Sequence, residues 1–387
     1  QNDFRDPGLD DYRAGSFYWA IRRAAQFEGI YAIYYLLNEK EIMHMKTWKG
    51  YQKGVNLGGW FSQCDYSEDR FNNFITEDDF KELTSWGLDH LRLPVDYNLV
   101  ETEDGQYKEE GFARIKRALE LGHKYGFNMI LDLHKTAGYS FDPGEKQSGF
   151  FGNEALQERF YRLWEEFAKR FGGYGDKVAL ELLNEVVDKE DGAVWAEIAP
   201  KCVERIRAYA PTTDILIGGY WHNSVQAVRD IPMPMDEHII YNFHSYDPLL
   251  FTHQGAQWVD DMPADYHMEF KGSMEDFCAY AKAHLPAKLA GTLSILDYKG
   301  NLDSAYFEDL FADAIAVAKE RNVALYCGEY GVIENADPAN TVLWYKAIHE
   351  VFVKYGIGRA AWSYKEMDFD LRADRLKPVF AELKKYF

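Results

Sequence analysis

Short apolar runs alternate with longer amphipathic segments from residue 53 onward, and this alternation restricts the possible folds more than any other feature. Eight runs are rich in β-branched and aromatic residues, which is typical of buried strands. Between them, segments such as 155–171 and 339–355 repeat apolar residues every three or four positions, which predicts helices packed on a sheet. A last helix is predicted over 376–387. The predicted strands cover 53–57, 89–95, 128–134, 177–184, 214–220, 238–246, 323–329 and 358–364.

Polar and aromatic side chains stand at the carboxyl ends of most of these runs. An open sheet concentrates its site at one switch point, whereas a closed barrel brings all eight strand ends to one mouth. The wide distribution of these side chains therefore predicts an α/β fold of the (β/α)8 TIM barrel type. The residues are Arg92, His134, Asn184, Glu185, Trp221, His244, Tyr246, Glu329 and Trp362.

Two parts of the chain depart from the repeating pattern. Residues 1–47 do not share it, and we interpret them as an N-terminal extension of unknown role before a catalytic barrel at 48–387. A long connection at about 247–303 follows the sixth strand and exceeds ordinary βα loops, which predicts an inserted subdomain with a helix over 274–284. Such an insertion could wall the mouth of the barrel or serve only as a structural elaboration.

The charge and cysteine content exclude several kinds of partner. Asp and Glu number 63 against 43 Lys and Arg, and the formal charge of −20 repels nucleic acid and anionic membrane surfaces. No run of 18 uncharged apolar residues occurs, so no membrane span is predicted, and residues 30–37 lack the cleavage site of a signal peptide. We expect a monomer without metal or cofactor. The cysteines have no metal-ligand spacing and are predicted to be free thiols: Cys64, Cys202, Cys278 and Cys327.

Two glutamates at predicted strand ends are the candidate catalytic residues. Glu185 lies in LLNEVV and Glu329 in YCGEYG, at the ends of the fourth and seventh strands. Hydrolysis of a glycosidic bond with retention requires two carboxyl groups about 5 Å apart, in different protonation states. A lone glutamate at a strand end is more often a solvated loop residue. Here, however, Asn184 could bond a sugar 2-hydroxyl, and Arg92 and Tyr246 could donate to Glu329.

Histidines and tryptophans at other strand ends are candidate sugar contacts. His134 and His244 could each bond sugar hydroxyls or be ordinary core residues, since zinc-site spacing is absent. Trp362 could form a flat floor under one sugar ring or plug the barrel. Aromatic residues make up 16% of the chain, more flat apolar surface than a core requires. Further candidate platforms are Trp221, Trp258 and Trp60.

Seven motifs in one order resemble glycoside hydrolase family 5 of clan A over residues 48–387, and especially its clostridial cellulase C type. They are GVNLGGW, HLRLPVDY, LDLHKTAG, LLNEVV, YNFHSYDPLLFTHQ, CGEYGV and AAWSYKEMDF. The resemblance implies that Glu185 is the acid/base and Glu329 the nucleophile. It also implies that the residues supporting them are Arg92, His134, Asn184, His244, Tyr246 and Trp362.

The same resemblance implies an endo-β-glucanase whose substrates are β-1,4 and mixed β-1,3-1,4 glucans. Two alternatives use the same barrel, a β-mannanase and an exo-β-1,3-glucanase, because GVNLGGW is compatible with the latter and loop shape governs specificity. A third alternative, from another class, is a catalytically inactive barrel that binds carbohydrate, because a fold does not fix a function.

Overall fold

A computed structural model describes residues 45–142, 148–292 and 297–387. Its eight strands are parallel and pair in sequence order, with β1 also bonded to β8, so the sheet closes into the predicted barrel. Residues 1–44, which form most of the predicted N-terminal extension, lie outside the described residues. The strands are β1 Gly54–Asn56, β2 His90–Asp96, β3 Asn128–Lys135, β4 Val178–Glu181, β5 Ile215–Gly218, β6 Ile239–Ser245, β7 Ala324–Tyr330 and β8 Gly358–Ala361.

Amphipathic helices surround the sheet. In the helix over Glu154–Phe171 the buried residues include Phe160, Leu163, Trp164 and Phe167, three or four positions apart, and Asn153 caps its first turn. The α-helices are α1 Glu68–Asn73, α2 Glu77–Leu83, α3 Tyr97–Val100, α4 Glu109–Lys124, α5 Glu154–Phe171, α6 Gly192–Arg207, α7 Leu249–Thr252, α8 Met274–His284, α9 Ala287–Ala290, α10 Ser304–Glu320, α11 Pro338–Tyr355 and α12 Phe380–Leu383. Within the described segments, none of the helices is long and apolar enough to cross a bilayer. All four cysteines are free, as predicted.

The barrel interior is layered. Successive strand residues point to opposite faces, so the inward positions of one strand are two residues apart. One interior layer is apolar and contains Ile130, Ala179 and Ile240. Two residues further along each of these strands, the inward positions become polar, at Asp132, Glu181 and Asn242. The change from apolar to polar marks the mouth, where the carboxyl ends of the strands converge.

One predicted helix is shorter than expected, and the connection between β5 and β6 contains no α-helix. The prediction of one helix over 376–387 was wrong, because only Phe380–Leu383 is α-helical and 3-10 turns flank it. The broken end lets the Phe387 ring approach Trp86 with centroids 5.5 Å apart, while its carbonyl accepts from Arg359 at 2.6 Å. After β5, a 3-10 turn at Val225–Asp230 takes the place of a barrel helix.

The connection after β6 shares the core of the barrel. It contains α7, α8 and α9, and its residues Met262, Phe270 and Phe277 belong to the same buried cluster as the surrounding helices. The Phe270 amide also donates to Asn340 on α11 at 3.0 Å. Met45 is buried as well, and Lys46 forms a bridge to β7, so residues 45–47 belong to the compact unit Met45–Phe387.

Candidate active site

Arg92 on β2 is the central cation of the mouth and is completely buried. Its Nε and Nη2 donate to the two oxygens of Glu181, each at 2.7 Å, and Nη2 lies 3.1 Å from Asp132. Nη1 donates to Asn56 at 2.9 Å. Burial lowers the pKa of the guanidinium, but Asp132 and Glu181 outweigh it and raise the pKa well above its ordinary value. Arg92 is therefore a permanent, fixed positive charge.

Glu329 on β7 accepts hydrogen bonds from the two donors that the sequence indicates. Nη1 of Arg92 donates to Oε1 at 2.8 Å, and the Tyr246 hydroxyl donates to Oε2 at 2.9 Å. The side chain is buried apart from its edge at the mouth. Both of its oxygens are thus held in place, one of them by a group that cannot lose its charge.

Glu185 lies just beyond β4 and has different partners. Nδ1 of His244 lies 2.9 Å from its Oε1, and Nδ1 of His222 lies 3.1 Å from its Oε2. The Tyr139 hydroxyl fixes the backbone by donating to the Glu185 carbonyl at 2.5 Å. Burial raises the pKa of Glu185, but the hydrogen bonds from His222 and His244 outweigh it and hold the pKa below its ordinary value. The partners of Glu185 are thus two imidazoles, whereas those of Glu329 are a guanidinium and a phenol hydroxyl.

The two glutamates face each other across the mouth. Atoms of Glu185, His244 and Glu329 that could act as metal ligands lie within 4.8 Å of one another, so an oxygen of one carboxylate is within that distance of an oxygen of the other. A cation would compete here with the Arg92 charge, and all four carboxylate oxygens already have partners. The pair can instead supply one carboxylate beside a fixed positive charge and one that is hydrogen-bonded to two imidazoles.

Asn184, His134 and Trp362 surround this pair. Oδ1 of Asn184 accepts from Arg92 at 2.9 Å, which leaves its amide nitrogen as the donor for other groups. Nδ1 of His134 lies 2.6 Å from Asp132. The His134 ring is almost parallel to Trp362, at 4° with centroids 5.7 Å apart. Trp362 is buried except for an edge.

The remaining tryptophans divide into exposed and buried ones. Trp221 and Trp258 are 43% and 48% exposed. Trp221 adjoins His222, while Trp258 contacts His253, which itself packs against Tyr246. The suggestion that Trp60 is a sugar platform was wrong, because this side chain is buried and its indole donates to the Phe71 carbonyl at 3.0 Å.

Sequence reasoning missed several buried polar residues of the site. Asp132 and Glu181 stand inside runs that otherwise consist of apolar residues, and a charged residue in such a run is the signal that could have revealed them. His222 follows β5 in a loop and has no comparable signal. The other missed residues are Asn56, which accepts from Arg92, and Asn242, which donates to Glu181 at 2.7 Å.

A closed parallel barrel with two facing carboxylates at its mouth fits the arrangement of a glycoside hydrolase. The chain belongs to glycosyl hydrolase family 5, because the sequence model described as Cellulase (glycosyl hydrolase family 5) matches residues 48–368. This agrees with the family that the motifs resemble.

Characterised relatives extend over most of the chain. It is 45% identical over 311 residues to Cellodextrinase A of Ruminococcus flavefaciens, covering 80% of this chain and 84% of that protein. It is 36% identical over 337 residues to Endoglucanase C of Acetivibrio thermocellus, covering 86% of this chain and 96% of that protein. The fold matches an endoglucanase of Thermotoga maritima with a TM-score of 0.68 and 20% identity, covering 88% of this chain and 97% of that structure.

Proposed function

We propose that this enzyme is a retaining endo-β-glucanase with Glu329 as nucleophile and Glu185 as acid/base. The observation that carries the proposal is the separation of the two carboxylates, whose nearest ligand atoms lie within 4.8 Å. Retaining enzymes place the two groups about 5 Å apart, whereas inverting enzymes need roughly 6.5–9.5 Å to admit a water molecule. The difference between the partners of the two glutamates supports their unequal roles.

In the first step, the protonated form of Glu185, which the histidine hydrogen bonds disfavour in the free enzyme, gives its proton to the glycosidic oxygen. A carboxylate oxygen of Glu329 bonds to the anomeric carbon as the bond to the leaving sugar breaks. In the second step, Glu185 takes a proton from water, and the hydroxide oxygen replaces Glu329 on the anomeric carbon. Arg92 and Tyr246 orient Glu329 for attack. His222 and His244 stabilise the carboxylate that Glu185 becomes after proton delivery, and the Asn184 amide can donate to the 2-hydroxyl of the sugar.

The names of the relatives support β-1,4-linked glucose chains as the substrate class. Trp362 beside the carboxylates and exposed Trp221 and Trp258 offer flat surfaces for successive sugar rings. Action on mixed β-1,3-1,4 glucans is part of the same proposal, and it rests on the motif resemblance. A second candidate is hydrolysis of short cello-oligosaccharides, which the 45% identity to a cellodextrinase favours.

The roles of the carboxylates are tested by Glu329→Gln and Glu185→Gln. We expect Glu329→Gln to lower the release of reducing sugar from barley β-glucan by roughly 10⁴-fold or more, because no covalent intermediate can form. Folding and oligosaccharide binding should persist. NMR of the first product should show the β-anomer with the unaltered enzyme. Near-normal turnover by Glu329→Gln, or an initial α-anomer, would contradict the proposal.

Substrate class is tested by rates on mixed-linkage glucan, carboxymethylcellulose, glucomannan, laminarin and xylan. We expect the mixed-linkage glucan to be cleaved fastest and its viscosity to fall well before most reducing ends appear, as internal cleavage requires. Faster hydrolysis of cellotetraose than of any polymer would identify the cellodextrinase. A higher rate on mannan or laminarin would establish the mannanase or the β-1,3-glucanase in place of the proposed activity.

A further inference from the structure

His222 lies in a segment with an unusual backbone, immediately after β5. Trp221, His222 and Asn223 have φ of 54°, 54° and 55°, three successive left-handed residues that are not glycine. Neighbouring backbone holds them there. The His222 amide donates to the Val186 carbonyl at 3.0 Å, and the His244 amide donates to the Asn223 carbonyl at 2.7 Å. The segment is therefore fixed between the loop that carries Glu185 and the strand that carries His244.

This backbone aims the His222 ring at Glu185. The carboxylate is bracketed, with His244 on Oε1 at 2.9 Å and His222 on Oε2 at 3.1 Å. The two imidazoles differ in access, because the His222 side chain is 55% exposed and that of His244 is 2% exposed. Of the two partners of Glu185, His222 is thus the one that exchanges protons readily with solvent.

We propose that His222 is a positioning residue that orients the Glu185 carboxyl group and shares its proton. The inference rests on the proposed function, in which Glu185 is the acid/base. It assigns no bond-breaking step to His222. The hydrogen bond to Oε2 stabilises the carboxylate after Glu185 has given up its proton.

The charges around the pair decide the direction of the effect. The hydrogen bond to Glu185 raises the pKa of His222 against its partial burial, and the nearby Asp188 raises it further. Glu185 also faces His244, and its charge acts on Tyr246 and His253. Against the effect of burial, His222 and His244 lower the pKa of Glu185. Loss of His222 therefore raises the pKa of Glu185, and the acid form persists to higher pH.

The test compares His222→Ala with His222→Asn. Alanine removes the donor, whereas the asparagine amide nitrogen takes the place of Nδ1, cannot titrate, and suits a left-handed backbone. We expect His222→Ala to lower the optimal kcat/KM on cellotetraose by about tenfold and to move the alkaline limb of its pH profile upward. His222→Asn should retain most of the rate with a smaller displacement. His284→Ala, which removes an exposed imidazole from α8, is the control that leaves the profile unchanged.

A substrate that needs no leaving-group proton isolates the contribution of Glu185. With 2,4-dinitrophenyl β-cellobioside, the burst of dinitrophenol should be within about twofold in all three variants, because this leaving group departs unprotonated. In Glu185→Gln the alkaline limb on cellotetraose should disappear; if it persists, the proposed function fails. If that control behaves as expected but His222→Ala leaves the limb unmoved, or lowers the rate equally at every pH and on both substrates, the role of His222 is overturned.

Discussion

At the scale of single residues, the site depends on how one positive charge is shared. Arg92 faces three carboxylates, Asp132, Glu181 and Glu329, and only the last borders the mouth. Glu181 takes Nε and Nη2 in a fork, so the guanidinium plane cannot rotate and Nη1 stays directed at Glu329. The position of the charge beside Glu329 is thus set by Glu181, a residue that is completely buried.

Glu181→Gln tests this arrangement. Burial raises the pKa of Glu181 and Arg92 opposes it, while the double hydrogen bond requires both oxygens as acceptors. The amide of glutamine presents a donor to one guanidinium nitrogen and leaves Arg92 under-compensated. We expect the free energy of unfolding in urea to fall by about 3–5 kcal/mol, as when a buried ion pair is broken. Glycosidase activity should fall with it.

Glu110→Gln is the matched control, because Glu110 forms an exposed ion pair with Arg114 one turn away on α4. Exposed pairs contribute roughly 0–1 kcal/mol, so this variant should unfold almost as the unaltered enzyme does. Equal urea midpoints for Glu181→Gln and Glu110→Gln would mean that Glu181 is protonated and holds nothing in place.

The residues that sequence could identify are those for which strand position and chemistry coincide. Glu185, Glu329 and Tyr246 stand at the ends of predicted strands and Arg92 lies within another, so convergence of the strands at one mouth predicts their proximity. The role of Glu181 could not be predicted in this way, since its contacts depend on which residue of β2 lies across the barrel interior. His222 needs a left-handed loop to reach Glu185, and no residue type in YWHN demands that conformation.

At the scale of elements, the turn after β1 and the end of β8 must approach closely. A Cβ added to Gly58 would lie 2.8 Å from Cη2 of Trp362 and 3.2 Å from Oγ of Ser363. Such distances are below van der Waals contact, so only glycine at this position lets the indole lie against the turn. Within the GVNLGGW motif, Gly58 thus leaves room for the Trp362 ring at the mouth, while Trp60 is buried in the core.

Gly58→Ala should therefore displace Trp362 without unfolding the barrel. A misplacement of about 1 Å at a substrate-binding surface can cost up to 10²-fold, so we expect kcat/KM on cellotetraose to drop by about 10- to 100-fold. The melting temperature should change little. Gly152→Ala is the control, because among the described residues, its two chain neighbours aside, no atom lies within 4 Å of the added Cβ. Unchanged kinetics in Gly58→Ala would show that the Trp362 ring moves aside freely or takes no part in binding.

The strands were predictable in number and order, but their ends were not. The predicted fourth strand covers 177–184, whereas β4 stops at Glu181, which is its last residue in register with β3 and β5. The Leu182 and Asn184 amides still donate to the Leu216 and Leu133 carbonyls of the neighbouring strands, at 3.2 and 3.0 Å, so Asn184 stays bonded to the sheet at the mouth. The connection after β5 likewise departs from the regular repeat. It carries His222, whose ring lies against Glu185, and continues into a 3-10 turn instead of an α-helix.

At the scale of the whole molecule, the inserted connection and the barrel form one folding unit. Met262, Phe270 and Phe277 are buried in the cluster that also contains the barrel helices, so the connection cannot be removed without exposing apolar surface. The length of the connection after the sixth predicted strand was enough to predict the insertion. The shared core could not be predicted, because the sequence does not indicate which surface the apolar residues of the insertion pack against.

The overall charge gives a last prediction, which concerns the entire surface. With a formal charge of −20, the enzyme repels an anionic polymer at low ionic strength, and salt screens this repulsion as the Debye length falls from about 30 Å at 0.01 M to about 10 Å at 0.1 M. We expect kcat/KM on carboxymethylcellulose to rise at least about twofold over this range, because electrostatic repulsion limits encounter. The rate on uncharged barley β-glucan, measured in parallel at the same pH, should stay nearly constant. If kcat/KM rose equally on both polymers, the salt effect would lie in the active site. A fall in kcat/KM on carboxymethylcellulose alone would contradict the prediction and would require a positively charged surface along the cleft.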